Sequence, residues 1–170
     1  MIKKDGLLCK KEITNSLSKE ALELLSKIEI KEQTNSTNDD AKESLKISSN
    51  ILSAHFAEQQ SAGRGRNSRK WISPFGQNIY LSLAWQSDLS FADIEGLSLA
   101  IGVEIAESLK NNTDEVIEIK WPNDLLINQK KLGGILIETS SGKKDNLEII
   151  IGIGINIFMK NKKHYMQLEQ

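Results

Sequence analysis

The chain has little with which to cross-link itself, hold a metal or enter a membrane. Cys9 is the only cysteine in 170 residues, which excludes an intramolecular disulfide and suits a reducing compartment. Only two histidines, His55 and His164, accompany it, so no Cys/His zinc site and no resident metal are expected. The amino terminus, Met1-Ile-Lys-Lys-Asp, lacks the apolar run of a signal peptide, and no later stretch is long enough to span a bilayer. A cytoplasmic protein is expected. Net charge is also nearly absent, at −1, so no global field draws the chain to nucleic acid or to an anionic membrane. Repeats and low-complexity linkers are missing too. What is present is ordinary for one globular domain with a real core: 39% hydrophobic and 26% charged residues.

Against that neutral background one stretch is unusual: Gly63-Arg64-Gly65-Arg66-Asn67-Ser68-Arg69-Lys70-Trp71. Glycine lets a backbone turn its N–H groups toward one point, and arginine adds a planar fork that matches phosphate or carboxylate. Such a loop can wrap an anion. It can equally be a solvated basic loop or an arginine–glycine contact to nucleic acid. Its glycines and four like charges predict a loop that orders when an anion is bound.

Periodicity places this loop between two strands. Apolar residues at helical spacing from Ile13 to Ile28 predict one amphipathic helix, and Ile28–Gln33 a short strand. The cluster Thr34-Asn35-Ser36-Thr37-Asn38-Asp39-Asp40 precedes a helix over 41–47. Ser36 with Asp39, or Thr37 with Asp40, has capping-box spacing, and a helix amino terminus can also receive a polar ligand group. Leu52–Glu58 predicts a buried strand that delivers Gln59 and Gln60 to the loop, with His55 as a core residue. After a turn at Ser73-Pro74-Phe75-Gly76, Asn78–Trp85 predicts the next strand. Ser90 is expected to cap a helix reaching Lys110, weakened by Gly96 and Gly102 at about 1 kcal/mol each. Further strands are expected over Val116–Lys120, in a hairpin turning at Asn128-Gln129-Lys130, and over Leu147–Ile157. The fold class is therefore α+β, with a mixed, largely antiparallel sheet packed by helices.

Four more motifs concentrate at strand ends: Ser36-Thr37-Asn38, Lys120-Trp121-Pro122-Asn123-Asp124, Lys131-Leu132-Gly133-Gly134 and Gly152-Ile153-Gly154-Ile155-Asn156. Six of the eleven glycines fall in the loop, the Lys131 turn and the last strand, which argues for backbone approaching a ligand. In this order, with Gln60 ahead of the Gly-Arg loop, the motifs resemble the catalytic domain of biotin–protein ligases from about Glu29 to Phe158. The resemblance implies the fold of class II aminoacyl-tRNA synthetases and biotin ligases. It divides the chain into an amino-terminal tail and helix (1–27), a catalytic domain (28–158) and a polar tail (159–170).

The same resemblance implies a two-step acyl transfer. Biotin and MgATP give biotinyl-5′-adenylate, and a lysine of a biotin carboxyl carrier domain, that of acetyl-CoA carboxylase, then attacks it. Biotin, ATP and Mg2+ are thus co-substrates and ion, with no prosthetic group. Ser36, Thr37 and Gln60 would hold the ureido head of biotin, with the backbone at Gly63 and Arg64. Gly134 and Gly152 would make room for the ligand. Arg66 and Lys131 would face the carboxylate and α-phosphate, Arg69 and Lys70 the phosphates, Asn156 the adenine, and Asp124 the reaction centre. A homodimer is allowed; DNA and membrane partners are not expected.

Many bacterial members of the family begin with a DNA-binding domain, for which the one amphipathic helix ahead of Ser36 is too little, so DNA repression is not expected. The family's adenine-stacking aromatic would fall beyond Gln170, so weakened ATP binding is expected. The strand Leu147–Ile157 is expected to leave one apolar face uncovered. Rival readings are a non-catalytic protein that binds biotin or the carrier, a lipoate or octanoate ligase, and an RNA-binding module. The last lacks an aromatic platform beyond Trp71.

Overall fold

A seven-stranded sheet organises the described residues of this computed structural model, namely 7–47, 52–142 and 146–158. In chain order the strands are β1 (Leu25–Thr34), β2 (Leu52–Gln60), β3 (Asn78–Ser87), β4 (Ile117–Lys120), β5 (Asp124–Ile127), β6 (Lys130–Ser141) and β7 (Leu147–Asn156). Across the sheet they lie β1-β2-β3-β7-β6-β5-β4. Only β1 and β2 run parallel; every other neighbouring pair is antiparallel. The class is α+β with a mixed sheet. The expected polar tail, 159–170, lies outside the described residues.

The centre of the sheet explains the most apolar stretch of the chain. Residues Ile149, Ile150 and Ile151 of β7 are 0%, 2% and 1% exposed, because β7 is covered on both faces. Ile150 packs with Ala41, Leu45 and Ala84 beneath helix α3 (Thr37–Ile47). Ile149 and Ile151 pack on the other face, toward Leu97, Ile101 and Ile105 of helix α4 (Leu97–Leu109). The expected uncovered face of this strand is therefore absent. An apolar groove of about 530 Å³ opens beside it, lined by Leu24, Leu52, Leu83 and Trp85 together with Ile101 of α4 and Ile151 of β7.

Two helix boundaries differ from the expectation. The segment Ile13–Ile28 is two short helices, α1 (Lys10–Ser16) and α2 (Lys19–Leu24), followed by the start of β1. Ser18 breaks the run by accepting the Ala21 N–H at 3.2 Å and capping α2. Leu25 and Ile28 then pair with Leu52 and Ala54 of β2. Over so short a span, apolar residues three apart fit a helix or a strand, and a neighbouring strand decides between them. Similarly, the backbone N–H and hydroxyl of Ser90 both bond the Asp93 carboxylate, which closes a 3₁₀ turn over Ala92–Ile94. Gly96, at φ 81°, turns the chain before α4 begins, so only Gly102 lies inside the helix. An added Cβ there would meet Ile119 at 3.5 Å and Ile135 at 3.7 Å, which shows the close packing that offsets its low propensity.

Candidate active site

The end of the sheet where β2 delivers Gln60 holds a cavity of about 300 Å³. Eleven of the thirteen candidate residues line it, drawn from α3, β2, the Gly-Arg loop, β5, β6 and β7. Gly63 and Asn156 do not, and both support it from behind. A side chain at Gly63 would run into Trp71 O at 2.7 Å and Ser73 Oγ at 2.9 Å, so its glycine serves the loop's own packing. Asn156 is nearly buried and donates to the Lys131 carbonyl at 3.2 Å, steadying the strand that carries the lysine.

The inner end is polar, neutral and closed. Ser36, Thr37 and Asn38 sit at the start of α3, where the Ser36 carbonyl accepts the Asp39 and Asp40 N–H groups. Neither expected capping box holds these carboxylates: Asp39 turns to Arg64, and Asp40 takes Lys31 at 2.8 Å. Gln60 Oε1 accepts the Thr37 N–H at 2.9 Å, and its Nε2 donates to Ser73 at 3.1 Å. Ser82 Oγ, fully buried on β3, lies 2.7 Å from Thr37 Oγ and 2.5 Å from Asn38 Oδ1. Gly152 makes this arrangement fit, since any Cβ there would overlap the Asn38 amide.

The outer end is cationic. Arg64, Arg66, Arg69, Lys70, Lys120 and Lys131 line the cavity against one carboxylate, Asp124. In a chain of net charge −1, this is a local concentration of positive charge. The loop that carries four of the cations is itself a small closed hairpin: Trp71 N–H donates to Gly63 O at 2.8 Å and Gly65 N–H to Arg69 O at 2.7 Å. Asn67 and Ser68 turn it at positive φ. Arg64 differs from its neighbours. Its guanidinium forks onto Asp39 at 2.9 and 2.7 Å and reaches Glu138 at 3.5 Å. That bond holds the Asp39 carboxyl below the usual range and raises the guanidinium above its own. Among the described residues, the loop therefore offers three cations without an acid partner rather than the four expected to repel one another.

Lys131 is aimed by an irregularity in its strand. Between Leu125 and Leu126 of β5 the register slips by one residue, so Leu132 of β6 bulges. Residues three apart in a regular strand face opposite sides. Here an added Cβ at Gly134 would touch both Asp124 Oδ1 and Lys131 Cε at 3.5 Å, so the three residues share the cavity side. Lys131 Nζ bonds Asp124 at 2.8 Å and stands 5.3 Å from the centre of the Trp71 ring. The ring packs on β7 at Gly154, where any Cβ would strike it, and against Gly134 of β6, where a Cβ would come within 3.3 Å. Asn123 pins the opposite wall through Ile135, donating to its carbonyl at 2.8 Å, and its own Oδ1 accepts from Arg66 at 3.4 Å.

One cavity thus joins a polar, hydrogen-bonding end to a cationic end. A family model describing biotin/lipoate A/B protein ligases matches residues 30–156, well over half of the chain. The chain belongs to that family. Among its relatives, the bifunctional ligase/repressor BirA of Escherichia coli is 48% identical over 107 residues, covering 63% of this chain and 33% of that protein. The biotin–[acetyl-CoA-carboxylase] ligase of Paracoccus denitrificans is 33% identical over 135 residues, covering 74% of this chain and 52% of its own length. Of solved structures, the biotin protein ligase of Aquifex aeolicus in complex with biotin and ATP superposes with a TM-score of 0.65 at 30% identity. It covers 84% of this chain and 58% of that one. The chain thus spans between a third and somewhat over half of these ligases. No helix among the described residues is long and apolar enough to cross a membrane.

Several residues at this cavity carried little signal in the sequence. Asn38 was the third member of a motif whose first two residues drew attention, and its partner Ser82 looked like any strand serine. Lys120 and Asn123 belong to one of the motifs at strand ends, but nothing in that motif assigns either a role. Trp71 ended the loop motif, but only its contact with Gly154 and Lys131 makes it the floor of the site.

Proposed function

We propose that this chain carries the ligase site for ATP-dependent attachment of biotin to a lysine of a biotin carboxyl carrier domain. The observation that carries the reading is the division of one cavity into a neutral, hydrogen-bonding end and a cationic end. Biotin has that form: a ureido head able to donate and accept, an apolar chain, and a carboxylate. The head would enter between Ser36, Thr37 and Gln60, the chain would cross Trp71, and the carboxylate would reach Lys131 and Arg66.

In the first step a carboxylate oxygen of biotin attacks the α-phosphorus of ATP, and pyrophosphate leaves. Two anions must meet, so fixed positive charge has to be in place beforehand. Lys131 and Arg66 would hold the carboxylate and α-phosphate, with Arg69 and Lys70 over the leaving phosphates. Asp124 keeps the Lys131 ammonium at the cavity wall in the free protein, and the incoming anions would share or replace that contact. In the second step the acceptor amine attacks the carbonyl of the mixed anhydride and AMP leaves. The loop would shield the anhydride from water between the steps.

Among the described residues no three His, Cys, Asp or Glu side chains converge into a metal cage. Magnesium would therefore come with the nucleotide, neutralising phosphate oxygens, rather than be held by the chain. The acceptor follows from relatives named as acetyl-CoA-carboxylase ligases, such as that of Paracoccus denitrificans. A cytoplasmic location and the division into 1–27, 28–158 and 159–170 belong to the same reading, which allows a homodimer and includes no DNA partner. Biotin-dependent exchange of pyrophosphate into ATP tests it. Exchange is expected with biotin and absent without it; biotin binding with no exchange would favour the non-catalytic alternative.

A further inference from the structure

The inner end of the cavity contains a row of polar atoms in which the positions of the hydrogens can be deduced. The row starts at Glu138 on β6, whose Oε2 lies 2.6 Å from Asn38 Nδ2. Asn38 Oδ1 lies 2.5 Å from Ser82 Oγ, and Ser82 Oγ lies 2.7 Å from Thr37 Oγ. Thr37 Oγ lies 3.1 Å from Gln60 Oε1. The inner members are shut away from water, with Thr37, Asn38 and Ser82 at 3%, 5% and 0% exposure. Each close contact between them therefore needs a hydrogen of its own.

An ionised carboxylate only accepts, so Glu138 must face the Asn38 amide nitrogen, and the amide oxygen must face Ser82. An amide oxygen also only accepts, so the single Ser82 hydrogen goes to Asn38. The 2.7 Å contact beyond it then requires that Thr37 donate its hydroxyl hydrogen to Ser82. Three oxygen–oxygen contacts share two hydrogens, and the two shortest take them. Gln60 Oε1 loses nothing, because it already accepts the Thr37 backbone N–H at 2.9 Å. Thr37 is left with its hydrogen spent and its lone pairs open, beside the cavity it lines.

The charge that begins this sequence is itself held in place. Arg64 reaches Glu138 at 3.5 Å while forking onto Asp39, so the first arginine of the loop meets the acid that orients the chain. We propose that Glu138, held by Arg64, is a positioning residue that makes Thr37 Oγ an acceptor, so the inner end selects heads that present an N–H donor. The proposal rests on the reading that this end takes the head of biotin, whose ureido nitrogens are such donors. In Glu138→Gln the new amide can donate to Asn38, the Asn38 amide turns over, and the hydrogens reverse down to Thr37. Thr37 would then accept the Ser82 hydrogen and turn its own to Gln60 Oε1, 3.1 Å away, leaving one lone pair for the ligand instead of two.

A double-mutant cycle on the full 170-residue chain tests this, with biotin affinity read by calorimetry. Glu138→Gln and Ser82→Ala should each weaken biotin by about tenfold, the scale of one lost hydrogen bond in a buried site. The double variant should bind no worse than Ser82→Ala alone, because Glu138 acts only through the chain that Ser82 completes. Dethiobiotin keeps the cyclic urea and should lose the same factors. Thr37→Val replaces Ser82→Ala in the cycle should the latter fail to fold, judged by its melting curve. Additive losses, or wild-type affinity in Glu138→Gln, would overturn the inference and leave the ligase reading standing. Absence of biotin binding to the unaltered chain would overturn both.

Discussion

The two ends of the cavity are built on opposite plans. At the inner end, neutral groups on α3, β2 and β3 make short hydrogen bonds to one another and, through Asn38, to Glu138 at 2.6 Å. At the outer end, most of the cations project from a loop and a bulged strand, and only Arg64 and Lys131 have acid partners. Burial makes the inner end rigid and selective, because an unpaired polar atom there is costly. Exposure lets the outer end keep its charge at small cost in stability, ready for an anion. On the proposed reading, recognition and reaction should be separable by mutation.

The largest separation should come from Lys131→Ala. Loss of a fixed cation from the reacting groups should lower pyrophosphate exchange by about 10²–10³-fold. Biotin affinity should fall much less, because the head's partners are untouched. Equal losses in exchange rate and in calorimetric affinity would mean that the two ends are not independent.

Next in size is Gly152→Ala, which attacks the inner end alone. Its new methyl overlaps the Asn38 amide, and forcing Asn38 aside should cost about 1–3 kcal/mol of stability and weaken biotin binding. Urea unfolding and calorimetry would measure the two effects together. An unchanged biotin affinity would show that Asn38 does not orient the site.

Salt should distinguish the ends more gently. Between about 0.05 M and about 0.5 M ionic strength, screening should weaken ATP binding several-fold and leave the head's hydrogen bonds nearly unaffected. Binding of biotin and of ATP followed over the same salt series would show parallel slopes if that distinction were wrong.

The smallest effect is on stability, below the inner end. His55 is 1% exposed on β2, near Ser53 and Glu29, and burial lowers its pKa below the ordinary value. The unfolded chain therefore binds the proton more readily, and stability should decline as pH falls below about 6.5 toward the folded-state value. His55→Gln should flatten that part of a denaturation-against-pH curve. A curve no flatter than wild type would mean that other groups carry the acid sensitivity.

Much of this was present in one dimension. Residues whose role is local were readable: the Asn128-Gln129 turn, and the apolar run of β7 with the α+β class that follows from it. Grouping Ser36, Gln60, Arg66 and Lys131 into one site came from the resemblance their motifs carry. Residues whose role depends on a distant partner were not readable. Nothing near Arg64 in the sequence says that its fork would close on Asp39, or that Glu138 would stand 74 positions away at 3.5 Å. The end of the helix expected over Ile13–Ile28 failed for the same reason, since from Leu25 on strand pairing with β2 outweighs a local helical pattern. Local backbone geometry and side-chain periodicity belong to the sequence alone. Which charges are neutralised, which hydroxyl donates and which lysine faces the cavity depend on contacts between remote segments, and those exist only once the sheet has assembled.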